Sequence, residues 1–261
     1  MSHIFYKYQG TGNDFIIVDD RQNEFPRENT SFIQQLCTRR FGIGADGLML
    51  LGNKTGYDFE MVYYNSDGKR SSMCGNGARC LAHFAQFKGA AAGKMRFLAP
   101  DGEHAAEVHD GEIHLSMNDV REIEQRGNDF VLDTGSPHYI RFAGGELTDE
   151  LLMNVTNEIR YGAEFLQDGI NVNIVAEREN HVEMRTFERG VEDETFSCGT
   201  GVTAAAIAAA LKQKKTGFVQ MAVKTRGGNL RVDFNFDGRA ATNILLCGLA
   251  VQVFKGELPH A

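Results

Sequence analysis

Proline is scarce in this chain, four in 261 residues, and no low-complexity tract interrupts it. That leaves little room for an extended linker or a disordered arm. Long apolar runs are missing too. No stretch approaches the roughly 20 apolar residues that a membrane-spanning helix needs. The opening residues, "MSHIFYKYQGTGNDF", lack a basic start followed by an apolar run, so no secretory signal is expected. Basic charge is in deficit: a net charge of −8 argues against broad binding to nucleic acid or to an anionic membrane.

Cysteine is sparse and its spacing excludes several chemistries. The five residues Cys37, Cys74, Cys80, Cys198 and Cys247 fit reduced thiols in the cytoplasm better than a disulfide framework. There is no Cys-x-x-Cys and the eight histidines are scattered, so neither a zinc site nor a thioredoxin-like pair is expected. A cysteine-phosphatase loop would put arginine six residues after its nucleophile. That position holds Cys80 after Cys74, with Arg79 one short, and Ala204 after Cys198. No phosphate-binding loop ending in Gly-Lys-Ser/Thr occurs, and no dinucleotide fingerprint. No metal and no cofactor is therefore called for. What is present, 42% hydrophobic and 24% charged residues, is ordinary for a soluble globular protein of one large domain or two.

The sequence repeats itself. "TGNDFIIV" from residue 11 meets "TGSPHYIR" from residue 134 (134 − 11 = 123). "FEMVYY" and "VEMRTF" keep that offset; "MCGNG" and "SCGTG" stand at 198 − 74 = 124, and "MRFLAPDGE" and "MAVKTRGGN" at 221 − 95 = 126. A one-directional drift is what single-residue loop insertions produce. Strands are expected at "IFYKY", "DFIIV", "DFEMVYY", "EIHLS", "NVNIV", "HVEMRT", "VQMAVK" and "NLRVDF", separated by turn signals such as "SDG", "PDG" and "RGG". Helices are expected near 30–40, 76–88, 148–160 and 200–215. The last is apolar on nearly every face until its lysine end, which predicts burial all round. The expected fold is α/β (α+β) with two pseudo-symmetric lobes, each a curved, mostly antiparallel sheet or barrel around a central helix. The expected lobes are 1–118, joined by 248–261, and 119–247.

Cys74 and Cys198 each precede Gly-x-Gly and a helix. A helix N-terminus presents unpaired N–H groups and a partial positive charge, which favours a thiolate and can hold a carboxylate through backbone amides. Two thiols flanking one carbon would serve as base and acid: one removes a proton from one face, the other returns one to the opposite face, and a stereocentre inverts. This requires the two sulfurs to converge, and mild oxidation should then join them. Cys37, Cys80 and Cys247 are read as small core residues.

"GTGNDFIIVD", "YNSDGKRSSMCGNGARC", "GINVNIV" and "ERGVEDETFSCGTG" together resemble the diaminopimelate epimerase family, amino-acid epimerases independent of pyridoxal phosphate, over about residues 3–256. The resemblance implies catalytic Cys74 and Cys198. It implies that Gly75, Asn76, Gly199 and Thr200 bind the reacting carboxylate, and that Asn13, Asn65, Asn171 and Arg189 hold the far end of the substrate. Glu188 would receive the reacting ammonium, with His138 close by. Asp67 is read as a turn residue; His138 reads equally as a turn or a site residue. Three departures from the family pattern stand out: Ser136 replaces an asparagine, Gly47 a glutamine, and the segment "VEDETFS" is one residue longer. The expected partner is a small amino acid, with room for a homodimer. Two alternatives stay open: a two-cysteine racemase of another amino acid, and a silent homologue that binds an anionic metabolite.

Overall fold

The computed structural model describes residues 4–258. The chain divides into two compact units, one running up to Leu115 and resuming at Gly248, the other spanning Ser116–Cys247.

In the first unit, β1 (Ile4–Gly10) and β2 (Asn13–Asp19) form a hairpin. Its two turn residues, Thr11 and Gly12, have φ of 55° and 81°, the positive values that let a two-residue turn follow the twist of its strands. Then come α1 (Thr30–Cys37), β3 (Gly47–Gly52), β4 (Phe59–Asn65), α2 (Gly75–Phe87), β5 (Lys94–Ala99), β6 (Gly102–His109) and β7 (Glu112–Ser116). The late strand Val251–Glu257, β17, pairs antiparallel with β1. The strands lie in the order β17-β1-β2-β3-β4-β5-β6-β7, parallel at β2–β3 and β4–β5 and antiparallel at the other joints.

Helix α2 packs against β1, β2, β3, β4 and β6, so the sheet curls around it. On the outer face α1 brings Phe32, Ile33 and Leu36 against Ile16, Val18, Leu48 and Leu50. Strands β2 and β3 are thus covered on both faces. That is why "GLMLLG" is buried at every position and carries no alternation to read.

The second unit repeats this path. It contains β8 (Ile123–Arg126), β9 (Asp129–Asp133), β10 (Pro137–Phe142), α3 (Asp149–Ile159), β11 (Asn171–Glu177), β12 (Val182–Glu188) and β13 (Asp193–Thr195). These lead into α4 (Gly199–Lys212), β14 (Gly217–Thr225), β15 (Gly228–Phe236) and β16 (Ala241–Leu249). The order is β8-β9-β10-β11-β12-β14-β15-β16, parallel at β10–β11 and β12–β14, the same alternation as in the first unit. Helix α4 touches β9, β10, β11, β12, β14 and β15, and every residue from Val202 to Ala210 is fully buried. Its run of alanines lets strands approach from all sides, and no polar face is needed.

The eight expected strands are present, the last strand expected at "LAVQVFKG" (249–256) is β17, and the four expected helices fall within a few residues of their observed bounds. Strands β3, β5, β6, β8, β9, β10, β13 and β16 were not foreseen. Among the described residues, no helix is long and apolar enough to cross a membrane.

Candidate active site

The two buried helices begin unlike the two outer ones. Helix α1 is capped by Asn29, whose side chain accepts from the N–H of Phe32, and α3 by Thr148, which accepts from Leu151. Helices α2 and α4 have cysteine at that position, and neither sulfur caps its helix. Such side-chain caps contribute about 1 kcal/mol each. Without them, the first-turn N–H groups at Gly75 and Asn76, and at Gly199 and Thr200, are suited to an external anion. Cys74 and Cys198 share a backbone conformation, φ −124° and ψ 115° against φ −115° and ψ 115°.

In the first unit the β1–β2 turn delivers Asn13 to Cys74. Asn13 Nδ2 donates to an Asp46 carboxylate oxygen at 2.6 Å. A carboxylate only accepts, so the amide nitrogen must face Asp46 and the amide oxygen faces the sulfur. Cys74 Sγ lies 3.6 Å from that oxygen, with the thiol as donor. Asp46 is anchored by Arg39 at 2.8 Å and by the N–H of Asp14 at 3.1 Å. Burial opposes ionisation of Asp14, yet hydrogen bonds from Arg39 and Lys7 bring its carboxyl down to about 2.

Asn76 is buried in the first turn of α2. One turn on, the fully buried Arg79 donates to Thr11 Oγ1 at 2.6 Å, tying the helix to the turn that carries Asn13. Asn65 ends β4 at an exposed position, paired in register with Gly47. Asp67 accepts from the N–H of Lys69 at 3.0 Å, the local bond of a turn residue. No side chain fits at Gly47: a Cβ there would lie 2.5 Å from both Tyr63 Cε2 and Tyr64 O. Tyr63 fills that space.

In the second unit a chain of hydrogen bonds ends on Cys198. Its Sγ is 3.3 Å from Thr200 Oγ1, which is 2.9 Å from His138 Nε2. His138 Nδ1 is 3.1 Å from Asn173 Nδ2, and Asn173 Oδ1 accepts from Thr186 Oγ1 at 2.9 Å. His138 is fully buried; burial, with the positive charge of Arg189 second, pushes its imidazole down to about 3, so the ring is neutral. Thr134 Oγ1 holds the Thr200 carbonyl at 2.8 Å.

A second group of residues lies beside it. Asn171 Nδ2 donates to Ser136 Oγ at 2.8 Å, and Asn171 Oδ1 accepts from the Arg189 N–H at 2.9 Å. The serine thus meets Asn171 directly despite its short reach. Arg189 Nη1 donates to the Asp168 carbonyl at 3.0 Å, while Glu188 Oε2 accepts from Thr195 at 3.0 Å. The longer segment is secured: Glu192 accepts from the Gly190 N–H and pairs with Arg160, and β13 pairs with β12.

Cys37 and Cys80 are inert by environment, burial pushing each thiol up to about 12. Sequence reading passed over Asn173, Thr186, Thr134, Asp46 and Tyr63. Asn173 had a signal: it stands two residues after Asn171 in a strand, hence on the same face.

The family profile described as diaminopimelate epimerase matches residues 5–123 and 130–252. The diaminopimelate epimerase of Flavobacterium psychrophilum is 48% identical over 96% of this chain and 98% of its own length. That of Chlorobaculum tepidum is 41% identical over 95% and 98%. Among solved structures, a Bacillus anthracis phenazine biosynthesis protein of the PhzF family superposes with a TM-score of 0.75 at 13% identity, covering 100% of both chains. A hydroxyproline epimerase from Agrobacterium vitis gives 0.68 at 13%, covering 98% and 92%. At such identities the structures share the fold, whereas the sequence matches reach further: this chain belongs to the diaminopimelate epimerase family.

Proposed function

We propose that this protein interconverts LL- and meso-2,6-diaminopimelate, an isomerase step of lysine and peptidoglycan precursor synthesis, with Cys74 and Cys198 as its two proton-transfer groups. The observation that carries the reading is the pair of buried helices that both begin on a cysteine, in units of matching topology. One sulfur, as thiolate, takes the α-proton, and the C–H electron pair passes to the carbanion. The other, as thiol, returns a proton to the opposite face and is left as thiolate. General acid–base groups of this kind contribute about 10²- to 10⁴-fold. Charge developing on the α-carboxylate meets the first-turn amides of Gly75, Asn76, Gly199 and Thr200, each such donor contributing roughly 10²- to 10³-fold.

The remaining roles follow from charge. Arg189 suits the distal carboxylate through its planar fork, with Asn13, Asn65 and Asn171 orienting the distal end and Ser136 setting Asn171. Glu188 suits the reacting ammonium, with His138 beside the reacting end. The thiols supply both proton transfers, so the mechanism calls for no cofactor. None of the five cysteines is joined in a disulfide, and the mechanism needs the catalytic pair reduced, which supports a cytoplasmic setting.

The test is isotope exchange in heavy water with LL- and meso-diaminopimelate. Deuterium should enter the α-position of either isomer as the two interconvert. Exchange confined to a different amino acid, such as proline, would transfer the chemistry to that substrate. Tight binding with no exchange would leave a silent homologue.

A further inference from the structure

We infer that Asn173 is a positioning residue that, through His138 and Thr200, holds Cys198 as the resting thiolate, leaving Cys74 as the resting thiol. The inference rests on the two-thiol reading above and goes beyond it, because that reading does not say which sulfur is charged between turnovers.

The direction of the bonds from Asn173 through His138 to Thr200 follows from what each atom can donate or accept. Asn173 Nδ2 faces two backbone carbonyls, Tyr139 O at 3.1 Å and Asn171 O at 3.4 Å. Carbonyls only accept, so this end of the amide must be the NH₂. The same NH₂ faces His138 Nδ1, which must therefore be the bare nitrogen. A neutral imidazole then carries its proton on Nε2, and Nε2–H donates to Thr200 Oγ1. With its oxygen accepting from histidine, the Thr200 hydroxyl has its one proton left to give, and Cys198 Sγ stands within its reach at 3.3 Å. The chain moves no proton; it aims a donor at sulfur, and a donor favours thiolate over thiol. Among charged groups, Arg189 bears on His138 with its positive charge, and Glu188, its neighbour in the chain, accepts from Thr195.

The first unit reverses the sign. The Asn13 amide turns its oxygen to Cys74, and an acceptor favours thiol. The positions equivalent to the relay are apolar there. Phe15 and Gly47 open the β2–β3 ladder as His138 and Asn171 open β10–β11, so Phe15 stands for His138 and Met49 for Asn173. A Cβ on Gly77 would meet Met49 and Phe15; one on Gly201 would meet Asn173 and His138. The fold accepts apolar residues at these places, so the core does not require the polar trio. Each turnover exchanges the two protonation states, and the hydrogen bonds set which arrangement the free enzyme returns to.

The test uses the resting enzyme without substrate, so its outcome is independent of which amino acid is turned over. Alkylation by iodoacetamide is followed against pH and assigned by peptide mapping; the midpoint of each profile reports thiolate formation whatever the access to the sulfur. The Cys198 midpoint should lie below that of Cys74. Thr200→Val should raise the Cys198 midpoint by about one to two pH units, the effect of one hydrogen bond to a charged group, and Thr200→Ser should restore it. Asn173→Asp, which offers Nδ1 an acceptor and so flips the tautomer, should raise it similarly. A Cys74 midpoint at or below that of Cys198 overturns the inference. So does an unshifted Cys198 midpoint in Thr200→Val. Should Asn173→Asp fail to fold, the valine–serine pair decides alone.

Discussion

Phe15 and Met49 in the first unit stand where His138 and Asn173 stand in the second, beneath helices that both start on cysteine. One scaffold has been built twice, and the copies agree in strand order, in the placement of parallel joints and in the backbone of the N-cap. They disagree around the sulfurs. The first copy buries an arginine, Arg79, five residues after its cysteine; the second has Thr203, whose hydroxyl bonds back to the Gly199 carbonyl at 3.0 Å. Backbone topology is what duplication preserved. On the proposed two-thiol mechanism the sulfurs need opposite protonation states, which surroundings copied from one original would not provide.

The comparison can be broken most severely at the sulfurs. Cys74→Ala and Cys198→Ala should each lower epimerisation by about 10³-fold or more, measured as deuterium-coupled turnover. Near-normal turnover in one of them would show that the copies are not partners.

Exchanging the apolar and polar pairs comes next. His138→Phe with Asn173→Met, which writes the first unit into the second, should leave a folded protein with activity near neutral pH down roughly 10- to 100-fold. The acid limb of its pH–rate profile should move upward. The reverse exchange, Phe15→His with Met49→Asn, should cost roughly 2–6 kcal/mol in chemical denaturation, because each new buried polar group lacks a built partner.

Glycine tests the same contrast more gently. Alanine at 77 would place its Cβ 1.7 Å from Met49 Cε, the mobile tip of a flexible side chain, and should cost about 1–3 kcal/mol of stability. Alanine at 201 would place it 2.8 Å from Asn173 Oδ1 and should depress kcat more than stability. Equal kcat losses in the two variants would deny the second copy its special role.

Acid stability gives a smaller signal. His138 stays neutral in the fold down to about 3, while an ordinary histidine takes a proton near 6.5. Between those values the unfolded chain binds the extra proton, so stability falls on acidification by up to about 1.4 kcal/mol per pH unit. It is fully present above about 6.5, and the slope ends below about 3. Denaturation midpoints measured across this window should flatten in His138→Phe with Asn173→Met. Smallest of all, Cys37 and Cys80 should resist alkylation in the native state at neutral pH, since burial holds both as thiols.

Much of this was legible in the linear chain. The repeat gave the two units, and the apolar circumference of "TGVTAAAIAAALK" gave that helix its central place. The cysteine before each Gly-x-Gly marked both helix starts. Strand β3 escaped because burial on both faces removes alternation. Strands β8 and β13 escaped because they are short. Asn173 was hidden within a run read as ordinary strand, and Tyr63 within an apolar one.

Periodicity and glycine placement are local, and the chain carries them in its order of residues: they determined the doubled topology, the buried helices and the position of each sulfur at a helix start. Hydrogen-bond direction is not local. Asn13 shows its oxygen to Cys74 because Asp46, 33 positions away, claims its nitrogen. Thr200 stands as an acceptor to His138, 62 positions away, because Asn173 fixes which ring nitrogen carries the proton. Only the folded arrangement brings such partners within 3 Å of each other, and only there does a neutral amide or hydroxyl acquire a fixed sense.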